Sequence, residues 1–108
     1  MSKSLIWKIP TPQKKIYLTF DDGPIPGLTT DILQILGEYQ AKATFFCVGE
    51  NAERHPQILD QIKEEGHLLG NHSHQHISGW KTPVKPYVEN VYRASESIKS
   101  NLFRPPYG

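Results

Sequence analysis

Short apolar runs alternate with helically spaced apolar positions along most of the chain. The runs predict strands over residues 15–20, 43–48 and 67–70, and a fourth strand from about residue 101. The segments between them predict helices over about residues 29–40, 56–65 and 86–100. The resulting order, β-α-β-α-β-α-β, predicts an α/β fold with parallel strands and right-handed crossovers.

Each predicted helix carries apolar side chains that we expect to face the sheet. In the first helix these are Leu28, Ile32, Ile35, Leu36 and Tyr39. In the third they are Val88, Val91, Tyr92 and Ile98. Thr29 or Thr30 is expected to cap the first helix, while Pro56 and Gly66 mark the start and end of the second.

Length and charge limit the functions that the chain can have. Its 108 residues support one domain, and its net charge of +1 disfavours nucleic acid and anionic membranes as partners. No apolar run has membrane-spanning length, and the apolar cluster within residues 1–10 is too short for a signal peptide, so neither a span nor an export signal is expected. The single cysteine, Cys47, lies in an apolar run and is interpreted as a buried structural thiol.

The pattern divides the chain into an N-terminal extension, residues 1–14, and a partial α/β domain, residues 15–108. A closed eight-stranded parallel barrel needs about 200 residues or more. The chain is therefore expected to hold about half of such a barrel. An open strand edge would then be available for association with another chain.

Two adjacent acids, Asp21 and Asp22, end the first predicted strand. Neighbouring side chains of a strand point in opposite directions, so both can enter one site only if a turn redirects them, and Gly23 and Pro24 supply a turn signal. Taken alone, Asp-Asp-Gly-Pro is more often an ordinary surface turn. Their position after a strand nevertheless makes the two carboxylates candidates for chemistry.

Three histidines follow the third predicted strand. His72 and His76 are four residues apart and could both reach one metal ion. With one carboxylate they would form a two-histidine, one-carboxylate set, which leaves positions open for water and substrate. We expect the ring of His74 to point away from this ion, and the alternative for the whole segment is a histidine-rich surface loop.

Such a metal site gives the two acids different tasks. One aspartate would bind the metal, while the other would accept a proton from the attacking water. Arg104 could keep that base ionised, and the backbone after Pro105 and Pro106 could donate a hydrogen bond to an oxyanion. Taken alone, Arg-Pro-Pro-Tyr-Gly is more often a rigid turn or a polyproline ligand.

The three motifs, in this order, resemble those of a known family. Residues 19–24 (Thr-Phe-Asp-Asp-Gly-Pro), 72–76 (His-Ser-x-x-His) and 104–108 (Arg-Pro-Pro-Tyr-Gly) look like the first three motifs of the NodB-homology polysaccharide deacetylases, carbohydrate esterase family 4. The strand at 43–48 is also similar to this family, and the resemblance covers residues 15–108. It implies an irregular parallel (β/α) barrel, of which about the first half is present.

The resemblance also implies a metal centre. Asp22, His72 and His76 would hold one divalent metal ion, with zinc as the expected metal. Ser73 would help to hold the histidine loop.

The implied reaction is hydrolysis of an N- or O-acetyl group on a polysaccharide such as peptidoglycan or chitin. Water activated by the metal would attack the acetyl carbonyl, with Asp21 as the base. Arg104 would orient Asp21, and the backbone N–H of Tyr107 would contribute to an oxyanion hole. Members of this family often act at the cell envelope or outside the cell.

Two alternatives stay open. The fourth and fifth motifs of the family, including the histidine that protonates the leaving group, have no counterpart before Gly108, which favours a metal-binding fragment or pseudoenzyme without turnover. The second alternative keeps the fold but hydrolyses a non-sugar amide or a cyclic imide. The presence of both acids in the first motif favours the sugar substrate, by analogy only.

Overall fold

The computed structural model describes residues 16–108, which form a three-stranded parallel sheet and four helices. The strands are β1 (Leu18–Asp21), β2 (Ala43–Cys47) and β3 (Leu68–Asn71). The helices are α1 (Leu28–Glu38), α2 (Gly49–Arg54), α3 (Pro56–Glu64) and α4 (Val84–Ser97). The extension expected over residues 1–14 and the first residue of the predicted strand, Lys15, lie outside the described residues.

β2 lies between β1 and β3, and both pairings are parallel, as the alternation of elements predicts. Phe45 at the centre of β2 is in register with Phe20 on one side and Leu69 on the other. The expected fourth strand is reduced to one parallel bridge between Asn71 and Phe103. The two prolines that soon follow Phe103 lack an N–H group and cannot continue a ladder, which accounts for the difference.

Within residues 16–108, one cluster of buried apolar side chains joins the sheet to the helices. Its largest members are Leu33, Leu36, Phe45, Ile58, Leu59, Ile62, Leu69 and Ile98. Cys47 belongs to the same cluster and is wholly buried, as its apolar surroundings predict. Burial raises the pKa of the Cys47 thiol to about 12, so this residue is a structural thiol.

The face of α1 that packs on the core differs in part from the prediction, because only Leu36 and the partly buried Ile32 of the five expected residues pack there. Leu33 and Leu36 are buried together with Thr29, whereas Leu28, Ile35 and Tyr39 are exposed. The spacing of Thr29, Leu33 and Leu36 is also helical, so periodicity alone did not separate the two faces.

The expected threonine cap of α1 is also wrong. Gly27 precedes the helix with φ of 82°, a conformation that favours glycine, and no side chain caps the helix there. The hydroxyl oxygen of Thr29 instead accepts a hydrogen bond from the backbone N–H of Ile25 at 2.8 Å. Thr29 therefore faces inward and stabilises the turn before the helix rather than its first N–H groups.

The last helix begins two residues earlier than predicted. Ile98, just beyond the end of α4, is buried in the core as expected, but Val88 and Tyr92 are exposed and Ala94 packs on the core instead. α2 was not predicted at all, because its six residues contain one apolar side chain, Ala52, and so no helical periodicity. α3 was predicted correctly, with Pro56 in its first turn and Gly66 just beyond its end.

The sheet formed by residues 16–108 is open at the outer side of β1. Ile16, Tyr17 and Leu18 are all exposed there. Association of another chain through this edge stays a prediction. No helix within residues 16–108 has the length and apolar character needed to cross a membrane.

Candidate metal centre and active site

The candidate residues lie where the parallel strands end at their carboxyl side. Asp21 is the last residue of β1 and Asp22 follows it, while the histidine segment follows β3. The segment beginning at Arg104 follows the bridge at Phe103. This end of an open parallel sheet is where such folds bind their ligands.

Backbone hydrogen bonds join these three segments to the sheet. The N–H of Asp22 donates to the carbonyl of Phe46 at 3.1 Å, and that of His72 donates to the carbonyl of Cys47 at 2.9 Å. The N–H of Arg104 donates to the carbonyl of Asn71 at 2.9 Å. The ladder therefore continues past the strand ends and fixes the register of the candidate ligands.

The side chains of Asp22, His72 and His76 converge on one point. Oδ1 of Asp22 lies 3.3 Å from Nε2 of His72 and 3.1 Å from Nε2 of His76. One ligand atom from each residue lies within 4.8 Å of the others. The His72 side chain is 4% exposed and that of Asp22 is 58% exposed. The group is therefore enclosed by protein on the side of His72 and open to solvent on the side of Asp22.

A hydrogen bond at Nδ1 of His72 orients its ring. Nδ1 of His72 lies 2.6 Å from the backbone carbonyl oxygen of Arg104. A carbonyl oxygen can only accept, so Nδ1 donates this hydrogen bond, and Nε2 is the ring nitrogen that faces Asp22. One carboxylate and two imidazoles, one of them oriented by a carbonyl, are a donor set that fits a catalytic zinc ion.

Asp21 is held beside this centre by an ion pair. Nη1 of Arg104 donates to Oδ1 of Asp21 at 2.8 Å and lies 3.1 Å from Oγ1 of Thr19. The guanidinium carbon also lies 4.2 Å from the centroid of the Phe46 ring. Arg104 is therefore fixed by a carboxylate, a hydroxyl and an aromatic face, and it fixes Asp21 in turn.

Ser73 holds the histidine segment in place. Its hydroxyl oxygen accepts a hydrogen bond from the N–H of Ile77 at 3.3 Å, and its carbonyl accepts one from the N–H of Gly49 at 2.9 Å. The side chain of Ser73 is completely buried. Ser73 therefore joins the two ends of the loop that carries the candidate ligands.

Several site residues have left-handed backbone conformations. Their φ values are 76° at Asp22, 63° at Ser73, 54° at His76 and 62° at Tyr107. Such conformations cost non-glycine residues about 1–3 kcal/mol each and cluster at functional sites.

The ring of Tyr107 also contacts that of His76, with centroids 4.8 Å apart, so the third motif reaches the metal-ligand group.

The ring of His74 points away from the three candidate ligands. It is 2% exposed, and its Nε2 lies 3.9 Å from Oε1 of Glu53 on α2. A Cβ atom on Gly49 would come within 2.5 Å of Nδ1 of His74, so glycine is required at the start of α2 for this ring to fit. His74 thus packs the loop against the helices.

Three asparagines at the site were not identified from the sequence. Nδ2 of Asn51 donates to the carbonyl of Asp22 at 2.8 Å, and Oδ1 of Asn71 accepts from the N–H of Ser73 at 2.8 Å. Oδ1 of Asn90 on α4 accepts from the N–H groups of His74 and Gln75, at 2.8 and 2.9 Å. The position of Asn71 at the end of β3 was a usable signal, whereas Asn51 and Asn90 lie within helices and carried none.

Comparison with known proteins gives one family. The family model described as polysaccharide deacetylase matches residues 8–108. A peptidoglycan-N-acetylglucosamine deacetylase of Bacillus cereus is 35% identical over 107 residues, covering 94% of this chain and 50% of that protein. A chitooligosaccharide deacetylase of Azorhizobium caulinodans is 45% identical over 103 residues, covering 89% of this chain and 49% of that protein.

A solved structure agrees with these relatives. The peptidoglycan deacetylase PdaC from Bacillus subtilis superposes with a TM-score of 0.85 at 36% identity, covering 92% of this chain and 52% of that one. The chain thus spans about half the length of the relatives that it matches. The family match, the fold and the motifs agree, and the chain belongs to the polysaccharide deacetylase family.

Proposed function

We propose that the protein is a metal-dependent hydrolase that removes acetyl groups from the amino sugars of a polysaccharide. The observation that carries this proposal is the group formed by Asp22, His72 and His76, with the Asp21–Arg104 ion pair beside it. A metal site of this composition, with an unligated carboxylate next to it, is suited to hydrolysis. The relatives named above act on peptidoglycan and on chitooligosaccharide, which supports an acetylated glycan as the substrate.

The metal would be a divalent cation, with zinc favoured by two imidazole ligands and one carboxylate. When bound by Asp22, His72 and His76, it supplies Lewis-acid polarisation of the acetyl carbonyl. The hydrogen bond from Nδ1 of His72 to the carbonyl of Arg104 keeps Nε2 available to the metal.

The chain's own residues would move the proton and stabilise charge. Asp21, whose Oδ1 is paired with Arg104, would accept a proton from the attacking water at its free carboxylate oxygen. The guanidinium of Arg104 keeps Asp21 oriented through the 2.8 Å ion pair. The backbone N–H of Tyr107, which lies on the same motif as Arg104, would donate a hydrogen bond to the oxyanion that develops on the acetyl oxygen.

The open sheet suggests the larger architecture. We propose that residues 15–108 belong to an irregular parallel (β/α) barrel. The parallel order of β1, β2 and β3 and the exposed outer side of β1 support this arrangement. The same exposed edge could pair with a further strand of a barrel or with another chain.

Acetate release tests the proposed function. Zinc-loaded protein is incubated with N-acetylglucosamine oligomers and with peptidoglycan fragments, and acetate is quantified with and without a chelator. Chelator-sensitive acetate release is expected, and Asp21→Asn should abolish it while leaving bound zinc unchanged. Zinc binding without acetate release from any glycan would instead support the metal-binding fragment or pseudoenzyme. Release from non-sugar amides alone would support the second alternative, hydrolysis of a non-sugar amide.

A further inference from the structure

A groove of about 530 Å³ opens beside the metal-ligand group. His76 and Tyr107 form the end of the groove next to that group, and the loop after the histidine segment, residues 77–82, forms much of its wall. A volume of this size accommodates a sugar ring together with its substituents. A glycan that presents its acetyl group to the proposed metal would therefore extend into this groove.

The loop places an exposed indole in the groove. Trp80 is 84% exposed, although tryptophan is normally among the more buried side chains. The loop has a defined shape, because the N–H of Lys81 donates to the carbonyl of Ser78 at 3.3 Å and a Cβ atom on Gly79 would meet the Tyr87 ring at 3.4 Å. Trp80 is therefore presented to solvent by a turn that packs on α4.

The charge of the groove is the second observation. Among its lining residues, all within the described part of the chain, Lys81 carries the only permanent charge, and none is acidic. The other members of the wall are apolar or neutral side chains, including Ile77, Ser78 and Thr82. A groove lined by one positively charged side chain, Lys81, and by the flat indole of Trp80 is complementary to a sugar ring that bears a carboxylate.

We propose that this groove binds the sugar next to the acetylated one and selects a sugar that bears a carboxylate. Trp80 packs on the apolar face of the pyranose ring, and Lys81 pairs with the carboxylate. The proposal rests on the deacetylase function and narrows its substrate class to acidic glycans, in which an N-acetylated sugar alternates with a carboxylated one. A neutral N-acetylglucosamine polymer would still contact Trp80 but would lack the charge partner.

Two tetrasaccharides of equal length test the proposal. One is the neutral tetramer of N-acetylglucosamine, and the other alternates N-acetylglucosamine with N-acetylmuramic acid, whose lactyl group supplies the carboxylate. Binding to the zinc-loaded protein is read from tryptophan emission in a Trp7→Phe background, where Trp80 is the remaining one of the two tryptophans. Lys81→Gln in the same background removes the charge and keeps a side chain of similar length.

We expect both glycans to change the emission of Trp80 and the acidic glycan to bind about threefold more tightly, as for one exposed ion pair. Lys81→Gln should remove that difference, and raising the salt to about 0.5 M should shrink it in the unsubstituted protein. If the neutral and the acidic glycan bind with equal affinity, and Lys81→Gln changes neither affinity, the proposed selection for a carboxylate is wrong. If neither glycan changes the emission of Trp80, the proposal that this groove binds a glycan is wrong.

Acetate release from the same glycans separates this inference from the proposed function. Release that is independent of Lys81 and of the carboxylate would refute the inference and leave the deacetylase function standing. Lys81-dependent binding of the acidic glycan without any acetate release would support the groove and contradict the proposed catalysis.

Discussion

Arg104 contacts His72 and Asp21 through different parts of its structure. Its backbone carbonyl accepts the 2.6 Å hydrogen bond from Nδ1 of His72, while its guanidinium donates to Oδ1 of Asp21 at 2.8 Å. One residue therefore orients a proposed metal ligand through the main chain and the proposed base through the side chain. A side-chain substitution at Arg104 can separate the two effects.

Arg104→Lys should reduce turnover while leaving metal affinity unchanged. Lysine keeps the charge but lacks the planar guanidinium that donates to Asp21 and Thr19 through Nη1 while it stacks on Phe46. Hydrogen bonds to charged groups contribute about 1.5–3 kcal/mol, so we expect kcat to fall by roughly 10–100-fold. Steady-state acetate release and zinc titration are measured on the same preparation. Equal losses of turnover and of zinc affinity would contradict the division of roles.

Asn90→Ala should weaken the histidine loop. Asn90 accepts hydrogen bonds from two consecutive N–H groups of that loop, at His74 and Gln75. The N–H of His74 is partly buried, and leaving such a group without a partner costs about 1–3 kcal/mol. Residues that orient metal ligands typically change metal affinity by about 10–100-fold. Zinc affinity and the free energy of unfolding are therefore both expected to fall.

Asn90→Asp is the matched control for this change. Aspartate keeps an acceptor oxygen for the two N–H groups and loses only the donor to Oε1 of Gln75. It should retain most of the zinc affinity that Asn90→Ala loses. Equal zinc affinity in Asn90→Ala and the unsubstituted protein would show that Asn90 does not position the loop.

Cys47 should be unreactive in the folded protein. The thiol is wholly buried, and burial raises its pKa to about 12, so the thiolate that reacts with alkylating agents is scarce at pH 8. Iodoacetamide labelling at pH 8, followed by mass spectrometry, should show modification only when denaturant unfolds the chain. Rapid labelling without denaturant would mean that β2 opens readily or that the thiol is not buried.

The stability of the protein should fall as the pH is lowered below about 6.5, partly because of His67. Burial, followed by the nearby charge of Lys42, lowers the pKa of His67 from its usual 6.5. Its Nδ1 accepts a hydrogen bond from the N–H of Ala43 at 3.1 Å, which requires the neutral ring. Above pH 6.5 both folded and unfolded chains hold this ring neutral, so its contribution is fully present. Below that pH the unfolded chain takes up a proton that the folded chain resists, and stability declines until the folded pKa is reached.

His67→Asn isolates this contribution. Asparagine offers an acceptor near the position of Nδ1 and does not titrate. The free energy of unfolding, measured with urea between pH 5 and pH 8, should depend less on pH in His67→Asn than in the unsubstituted protein. An identical pH dependence in the two proteins would rule out His67 as a source of acid sensitivity.

The sequence was sufficient to predict which residues meet at the site. It was not sufficient to predict the contacts that hold them in place. Asp22, His72 and Arg104 each follow an apolar strand, and the carboxyl ends of parallel strands meet at one end of a sheet, so their convergence followed from local pattern. The support from Asn90 depends on how α4 packs against the loop, and no local pattern encodes that contact. Tertiary packing also decided which face of α1 is buried, where Leu33 replaced the expected Ile35.

The zinc content of a matched pair of variants tests the central claim most directly. Asp21 and Asp22 are adjacent, yet Oδ1 of Asp22 contacts both histidines while Oδ1 of Asp21 contacts Arg104. Each aspartate is replaced by asparagine, and bound zinc is measured by titration and by elemental analysis of the purified protein. We expect about one zinc per chain in the unsubstituted protein and in Asp21→Asn, and a loss of affinity beyond about 100-fold in Asp22→Asn. Full zinc binding by Asp22→Asn, or an equal loss in both variants, would contradict the assignment of the metal centre.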